Sequence, residues 1–240
     1  MSGKDRIQID AAKTFWEHKS LFGFDWLRGH YFLSKLSRWA KKASGVIIDV
    51  GCGSKPYFPL VCNSSSLYIG IDLPGKNLAA DVYASALNLP IRSASVDLCF
   101  NVWLLDDLSD PARYFREVSR ILKDNGRSIM IENQSFPEHD APHDYFRFTR
   151  HGLAYLASEA GLIVEEMIPL GGFWAQIGLQ LLAFFMRGVS GYLGGWVRLF
   201  NPLLNICFYI LDRACYLPRG TSGWFLVLRK PNMGKQEGNT

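Results

Sequence analysis

Four branched apolar residues around one acid, Val46–Val50 with Asp49, run directly into Gly51-Cys52-Gly53, and this restricts the fold more than any other feature. A strand that is apolar on both faces belongs inside a parallel sheet covered by helices. Glycines at its carboxyl end let main chain approach a ligand more closely than any Cβ permits. Ligands of open α/β sheets lie in the crevice outside those strand ends. A second apolar strand, Leu67–Ile71, ends in Asp72. That acid lies 19 residues beyond Gly53, about where such sheets set a carboxylate on a ribose diol. Taken singly, the glycine pair is also compatible with an ordinary tight turn, and Asp72 with a helix cap. The dinucleotide fingerprint needs a third glycine where this chain has Pro56, so a pyrophosphate on a helix amino end is disfavoured.

Asp49-x-Gly51-x-Gly53 followed by a strand-end acid resembles the class I S-adenosylmethionine-dependent methyltransferases. Further segments match in order: Leu87–Ile91 with Ser95–Cys99, then Asn101–Pro111, then Phe115–Gly126 ahead of a strand at Arg127–Ile131. The resemblance covers Val46 to Gly171 and a last strand near Trp224–Leu228. It implies a Rossmann-like α/β fold, a mostly parallel seven-stranded sheet with helices on both faces, and S-adenosyl-L-methionine as cofactor. Residue by residue, it implies that Asp72 receives the ribose hydroxyls with Leu73 beside it, and that Gly51, Cys52 and Gly53 admit the methionine and ribose parts. Asp49 orients the turn or the ligand amine. Ser85, Ala86 and Leu87 lie on the adenine side, and Asn101, Val102 and Trp103 flank the transferable methyl. The chain departs from the family at Ser85, where an acid often bonds the adenine amino group; the nearest acid is Asp81. No Asn/Asp-Pro-Pro-Tyr/Phe sequence occurs, which disfavours methylation of base or glutamine amino groups.

With 240 residues, 48% of them hydrophobic and 20% charged, the chain holds one folded α/β domain with additions. A net charge of +4, with basic pairs at Lys41-Lys42 and Arg229-Lys230, is too sparse for nucleic acid but compatible with an anionic membrane. Cys52, Cys62, Cys99, Cys207 and Cys215 form no CxxC pair and read as reduced thiols packed as small hydrophobes. Polar Met1–Asp10 lacks the apolar run of a secretory signal. A cytoplasmic protein is expected.

Strands are expected at 46–50, 67–71, 81–83, 96–100, 127–132, 162–168 and 223–228, and a helix at 149–160 closed by Gly161. Residues 1–44 form a helical, aromatic-rich segment that either covers the cofactor's methionine end or packs across a sheet edge. Its His18 and His30 read as surface or packing residues. The methyltransferase core is placed at 45–171, its last strand at 223–230, and a polar tail at 231–240.

The segment 172–222, between the last two strands, is apolar and helical. Phe173–Met186 is too short to span a bilayer at 1.5 Å per residue. Gly188, Gly191, Gly194 and Gly195 loosen the connection, and Asn201-Pro202 reads as the N-cap and first position of a second helix. In that helix Leu203, Leu204, Ile206, Cys207, Phe208, Ile210 and Leu211 make a broad apolar face opposite Asn201, Asn205 and Asp212. Three partners stay open for this insertion: its own domain, a second subunit, or a membrane interface.

The segment after the fifth strand, from Glu132 to His151, is the richest in candidate chemistry-bearing side chains. His139 and His143, with Asp144, are the candidate catalytic residues, since proton removal from a neutral oxygen nucleophile needs a positioned base. Pro142 between the histidines argues for a loop, and no metal is expected. The alternative is that Asp144, Arg147 and Thr149 fix the loop and cap the next helix. The string His143–Leu153 followed by Pro169–Trp174 resembles bacterial class I methyltransferases encoded among surface-polysaccharide enzymes. This points to O-methylation of a glycan or lipid-linked saccharide at the inner face of the membrane. The rivals are methylation of a small apolar metabolite, with the insertion as a lid, and a non-catalytic scaffold.

Overall fold

The computed structural model describes residues 13–62, 64, 66–74, 79–188 and 190–232. Seven strands form one sheet: β1 (Gly45–Val50), β2 (Ser66–Asp72), β3 (Val82–Tyr83), β4 (Val96–Val102), β5 (Leu122–Asn133), β6 (Ile163–Pro169) and β7 (Gly223–Arg229). Their order is β3-β2-β1-β4-β5-β7-β6. β1 to β5 run parallel, and β7 inserts antiparallel between β5 and β6. The order reverses between β1 and β4, so the crevice of an open α/β sheet falls at Gly51, as the glycine turn requires. β1 is buried from Ile47 to Val50, as a strand covered on both faces must be.

Helices cover both faces: α1 (13–19), α2 (Trp26–Ala40), α3 (Phe58–Val61), α4 (Pro111–Ile121), α5 (Arg150–Glu159), α6 (Phe173–Gly188) and α7 (Ser190–Ala214). One core packs Ile48, Val50, Cys99, Phe115 and Met130 under α4 and α5; the other packs Phe32, Leu36, Ile47, Phe100 and Phe225 under α2. Each such side chain contributes roughly 1.5–3 kcal/mol on burial. Local rules explain the helix starts. Asp110 accepts from the amide of Arg113 ahead of Pro111, and Thr149 accepts from the amide of Gly152.

Two boundaries differ from expectation. The segment Phe115–Gly126, which the resemblance implies is a helix ending in a glycine turn, is helical only to Ile121, because the chain turns extended at Leu122 to pair with Val96. Asn201-Pro202 does not start a helix: both lie inside the 25-residue α7. Proline removes only one donor there, and the helix continues through it. The expectation for the thiols also fails in part, since Cys207 and Cys215 are exposed. The expected tail at 231–240 lies largely outside the described residues.

β6 runs parallel to β5, so α6 leaves the sheet at the carboxyl edge and β7 re-enters there. The insertion therefore stands at the edge that carries Gly51. Among the described residues no helix is long and apolar enough to cross a membrane.

Candidate active site

The glycine turn and the strand-end acid meet. The amide of Gly53 donates to Asp72 Oδ2 at 2.9 Å, and the amide of Leu73 donates to Oδ1 at 2.7 Å. Gly51 (φ 69°) and Gly53 (φ 53°) sit in the left-handed region, which costs glycine little. A Cβ on Gly51 would come within 2.9 Å of Leu104.

Gly51 is shared by two cavities. The larger, about 640 Å³, is lined by Asp72, Leu73, Ser85, Ala86 and Leu87 on one side and by Asp107, Asp140, His143 and Tyr145 on the other. The smaller, about 170 Å³, is lined by Asp49, Cys52, Gly53, Tyr57, Val102 and Trp103, with Thr14 of α1 at its edge. The structure thus brings together every cofactor-side residue expected from the sequence except Asn101. That side chain is fully buried away from both cavities, accepting from the Tyr114 hydroxyl at 3.1 Å and donating to Glu132. Neighbours on a strand point to opposite faces, so Asn101 turns to the core when Val102 turns to the smaller cavity.

Electrostatics follow burial. Desolvation pushes the Asp49 carboxyl up to about 7, against the Tyr68 hydroxyl that donates to it and the Lys55 ammonium, while Asp72 and Asp81 add to the rise. Burial raises the Cys52 thiol, which is therefore inert. Asp81 does not turn to the adenine side; it holds Lys55 at 2.7 Å and the amide of Gly70 at 2.7 Å. Ser85 accepts from the amide of Leu87 at 3.2 Å.

The loop after β5 is pinned by ionic bonds. Arg147 grips Asp144 through two nitrogens at 2.5 and 2.8 Å, and the amide of His139 adds a third bond at 3.0 Å. The Arg147 bonds first, and then the His139 amide, hold Asp144 well below the usual carboxylate range, which makes it an anchor and a weak base. The His139 ring lies 3.3 Å from Asp144 and 3.6 Å from the buried Asp106. Two triads, Asp106–His139–Asp144 and Asp107–His139–Asp140, bring ligand-type atoms within 4.8 Å of one another. The Arg147 guanidinium already neutralises the first. His143 stands exposed at the mouth of the larger cavity, its Nδ1 3.1 Å from the Tyr145 hydroxyl. Beside it, burial and the neighbouring Asp106 push Asp107 up to about 6.

Sequence reasoning missed a buried network behind Trp103. His18 is 3% exposed, a packing residue and not the surface residue that the first of the two readings had; its Nε2 meets Asp25 at 2.9 Å and its Nδ1 the Tyr57 hydroxyl at 3.2 Å. Asp25 holds Arg28 at 2.5 and 2.9 Å. Arg28 stacks on Trp103, 3.8 Å from the ring centroid, and donates to Asn133 at 2.7 Å. Asn133 passes the chain to Asp106 at 2.6 Å. The sequence signal was the presence of three complementary ionisable groups within eleven residues, His18 to Arg28. Trp103 itself takes φ 52°, unusual for a non-glycine residue, and its buried indole N–H has no hydrogen-bond partner among the described residues.

Residues 48–130 match the family described as Methyltransferase domain. The malonyl-[acyl-carrier protein] O-methyltransferase of Hahella chejuensis (strain KCTC 2396) is 36% identical over 96 residues, 35% of this chain and 34% of that protein. The match thus spans about a third of that relative's length. Among solved structures, the [4+2]-cyclase SpnF is similar with a TM-score of 0.54 and 22% identity, covering 82% of this chain and 80% of SpnF. A Haemonchus contortus phosphoethanolamine N-methyltransferase 2 in complex with S-adenosyl-L-methionine is similar with a TM-score of 0.54 and 15% identity. It covers 94% of this chain and 60% of that one.

Proposed function

We propose that this chain, whose residues 48–130 match the Methyltransferase domain family and whose fold is that of class I methyltransferases, transfers the methyl group of S-adenosylmethionine to an oxygen acceptor. The observation that carries the reading is the joint between Gly53 and Asp72 beside Gly51. It sets a carboxylate next to main chain lacking side chains, the donor and acceptor set a ribose needs. The ligand's amine fits Asp49 in the smaller cavity, and its adenine fits Ala86 and Leu87 in the larger. When bound, S-adenosylmethionine would supply an electrophilic methyl carbon, its bond to sulfur breaking as the acceptor oxygen bonds to it and S-adenosylhomocysteine leaving as a neutral thioether.

The chain's own residues then have two tasks. Asp72, Gly51, Val102 and Trp103 fix the donor, since placement carries much of the rate of an in-line displacement. His143 accepts the acceptor's proton from the cavity mouth. Asp144 and His139 act as positioning residues that hold its loop on Arg147.

The acceptor is a glycan or lipid-linked saccharide presented at the inner face of a membrane. This rests on the His143–Leu153 string, the open cavity mouth and the apolar insertion at the same edge. A second reading is methylation of an acyl carboxylate, favoured by the similarity to the Hahella chejuensis enzyme. Incubation with methyl-labelled cofactor and fractionated cell extract separates them. Label in a saccharide-bearing lipid fraction bears out the first, label in an acyl carrier fraction the second, and label in neither overturns both.

A further inference from the structure

The insertion is inside out. Among the described side chains of α7 the fully buried ones are polar: Asn201, Asn205 and Asp212 are each 0% exposed. Asn205 donates to the carbonyls of Leu21 and Gly23 at 2.7 and 2.9 Å, and Asn201 to that of Phe22 at 2.8 Å. Asp212 accepts from the amides of Gly172 and Ala175 and from the Tyr31 hydroxyl at 2.7 Å. Spacings of four, three and four through Phe208 make this one stripe. The opposite stripe is apolar and faces out: Leu199, Phe200, Leu203, Ile206 and Ile210, with Leu203 61% exposed. Phe184 of α6 is exposed as well, at 62%.

A helix whose polar side is anchored to the protein presents its apolar side outward by necessity, because rotating it inward would strand Asp212 and two amides. Exposed apolar groups on this scale mark an interaction surface. Charge selects the partner. Between 173 and 222 the charged residues are Arg187, Arg198, Arg213, Arg219 and Asp212. Asp212, the one acid, is buried and bonded, while Arg213 and Arg219 are exposed. The surface therefore offers apolar side chains with positive charge and no accessible carboxylate among the described residues.

We infer that the outward face of α7 docks on an anionic lipid surface, seating Leu203, Ile206 and Ile210 at the acyl boundary with Arg213 among the headgroups. A second copy of the chain would bring arginines against arginines, with no exposed acid in the segment to meet them. The inference deepens the membrane part of the proposed function, which uses the same insertion, but its test does not depend on the cofactor cavity.

The test is flotation of the whole chain with vesicles of equal parts phosphatidylglycerol and phosphatidylcholine, beside vesicles of phosphatidylcholine alone. Binding to the anionic vesicles only is expected, falling about tenfold or more when salt is raised or when Arg213 becomes Glu. The pair Leu203→Glu and Ile210→Glu should abolish it. Cofactor affinity by calorimetry should stay unchanged in these variants, which shows that they are folded and that lipid docking is separate from methyl transfer. Equal binding to both vesicles, or none to either, overturns the inference. So does a dimer by sedimentation that Leu203→Glu dissociates, which would assign the face to a second copy.

Discussion

Asp49 and Asp72 lie one strand apart and differ in what surrounds them. Asp72 is held by two backbone amides at a strand end, on the wall of the larger cavity. Replacing it with Ala removes charge-assisted bonds worth about 1.5–3 kcal/mol each. Cofactor affinity measured by calorimetry should fall roughly 100-fold. Asp49 is buried, and its carboxyl sits near 7. A cationic amine prefers the ionised form, so cofactor affinity should rise between pH 6 and 8 in the wild type, and that rise should vanish in Asp49→Asn. The stability of the free protein runs the other way. The folded chain holds the Asp49 proton more tightly than the unfolded chain, so this residue costs stability progressively as pH rises from about 4 to about 7, and no further above that. Denaturant midpoints at pH 5 and pH 8 check the sign against Asp49→Asn. Both acids were legible in the sequence because strand periodicity and a glycine turn are local signals. The side chain of Asn101 turns away from both cavities because alternation along β4 sends it to Glu132, a detail that naming Asn101–Trp103 as one segment does not resolve. His18 was hidden for another reason: its partners Asp25 and Tyr57 become neighbours only once the chain has turned twice.

At the scale of elements, the strands were read closely, because each is a short apolar run between turn residues. The insertion is helical as expected, but its buried face is not legible in the sequence. Amphipathy tells that a helix has two faces but not which one is buried, and α7 buries the polar one. A crossed pair of substitutions measures this inversion. Asp212→Ala leaves two backbone amides and the Tyr31 hydroxyl without their acceptor, at about 1–3 kcal/mol for each buried donor left unmade. The urea midpoint should drop clearly. Leu203→Ser, which in an ordinary helix would remove a packed side chain, should change stability by no more than about 0.5 kcal/mol. If the serine variant is the less stable of the two, the polar stripe is not what holds α7. The same logic separates the two roles in the loop after β5. Arg147→Ala should lower the turnover rate by loosening the loop, whereas His143→Ala should lower it by about 10²–10⁴ and remove the limb of the pH profile that reports the base.

For the whole molecule, the sheet order says where a ligand sits but not what happens to it, since the cyclase SpnF shares the architecture. Whether this chain binds a cofactor at all is therefore an energetic question about the intact fold. A ligand that binds only the folded state at 100 times its Kd stabilises it by about 2.7 kcal/mol. In a chain of this size that moves the melting midpoint up by roughly 5–10 °C. S-adenosylhomocysteine should do the same, since it keeps the ribose, the adenine and the amine. Adenosine alone should produce a smaller rise, because it leaves Asp49 and the smaller cavity without a partner. Asp72→Ala should cut the shift to roughly 1–2 °C while keeping the unliganded midpoint close to that of the wild type, its carboxylate standing at a cavity wall and not in the core. A scaffold that had kept the fold without the chemistry would give flat melting curves with all three ligands. A rise with adenosine equal to that with S-adenosylmethionine would assign the site to nucleosides and deny the smaller cavity any part in recognition.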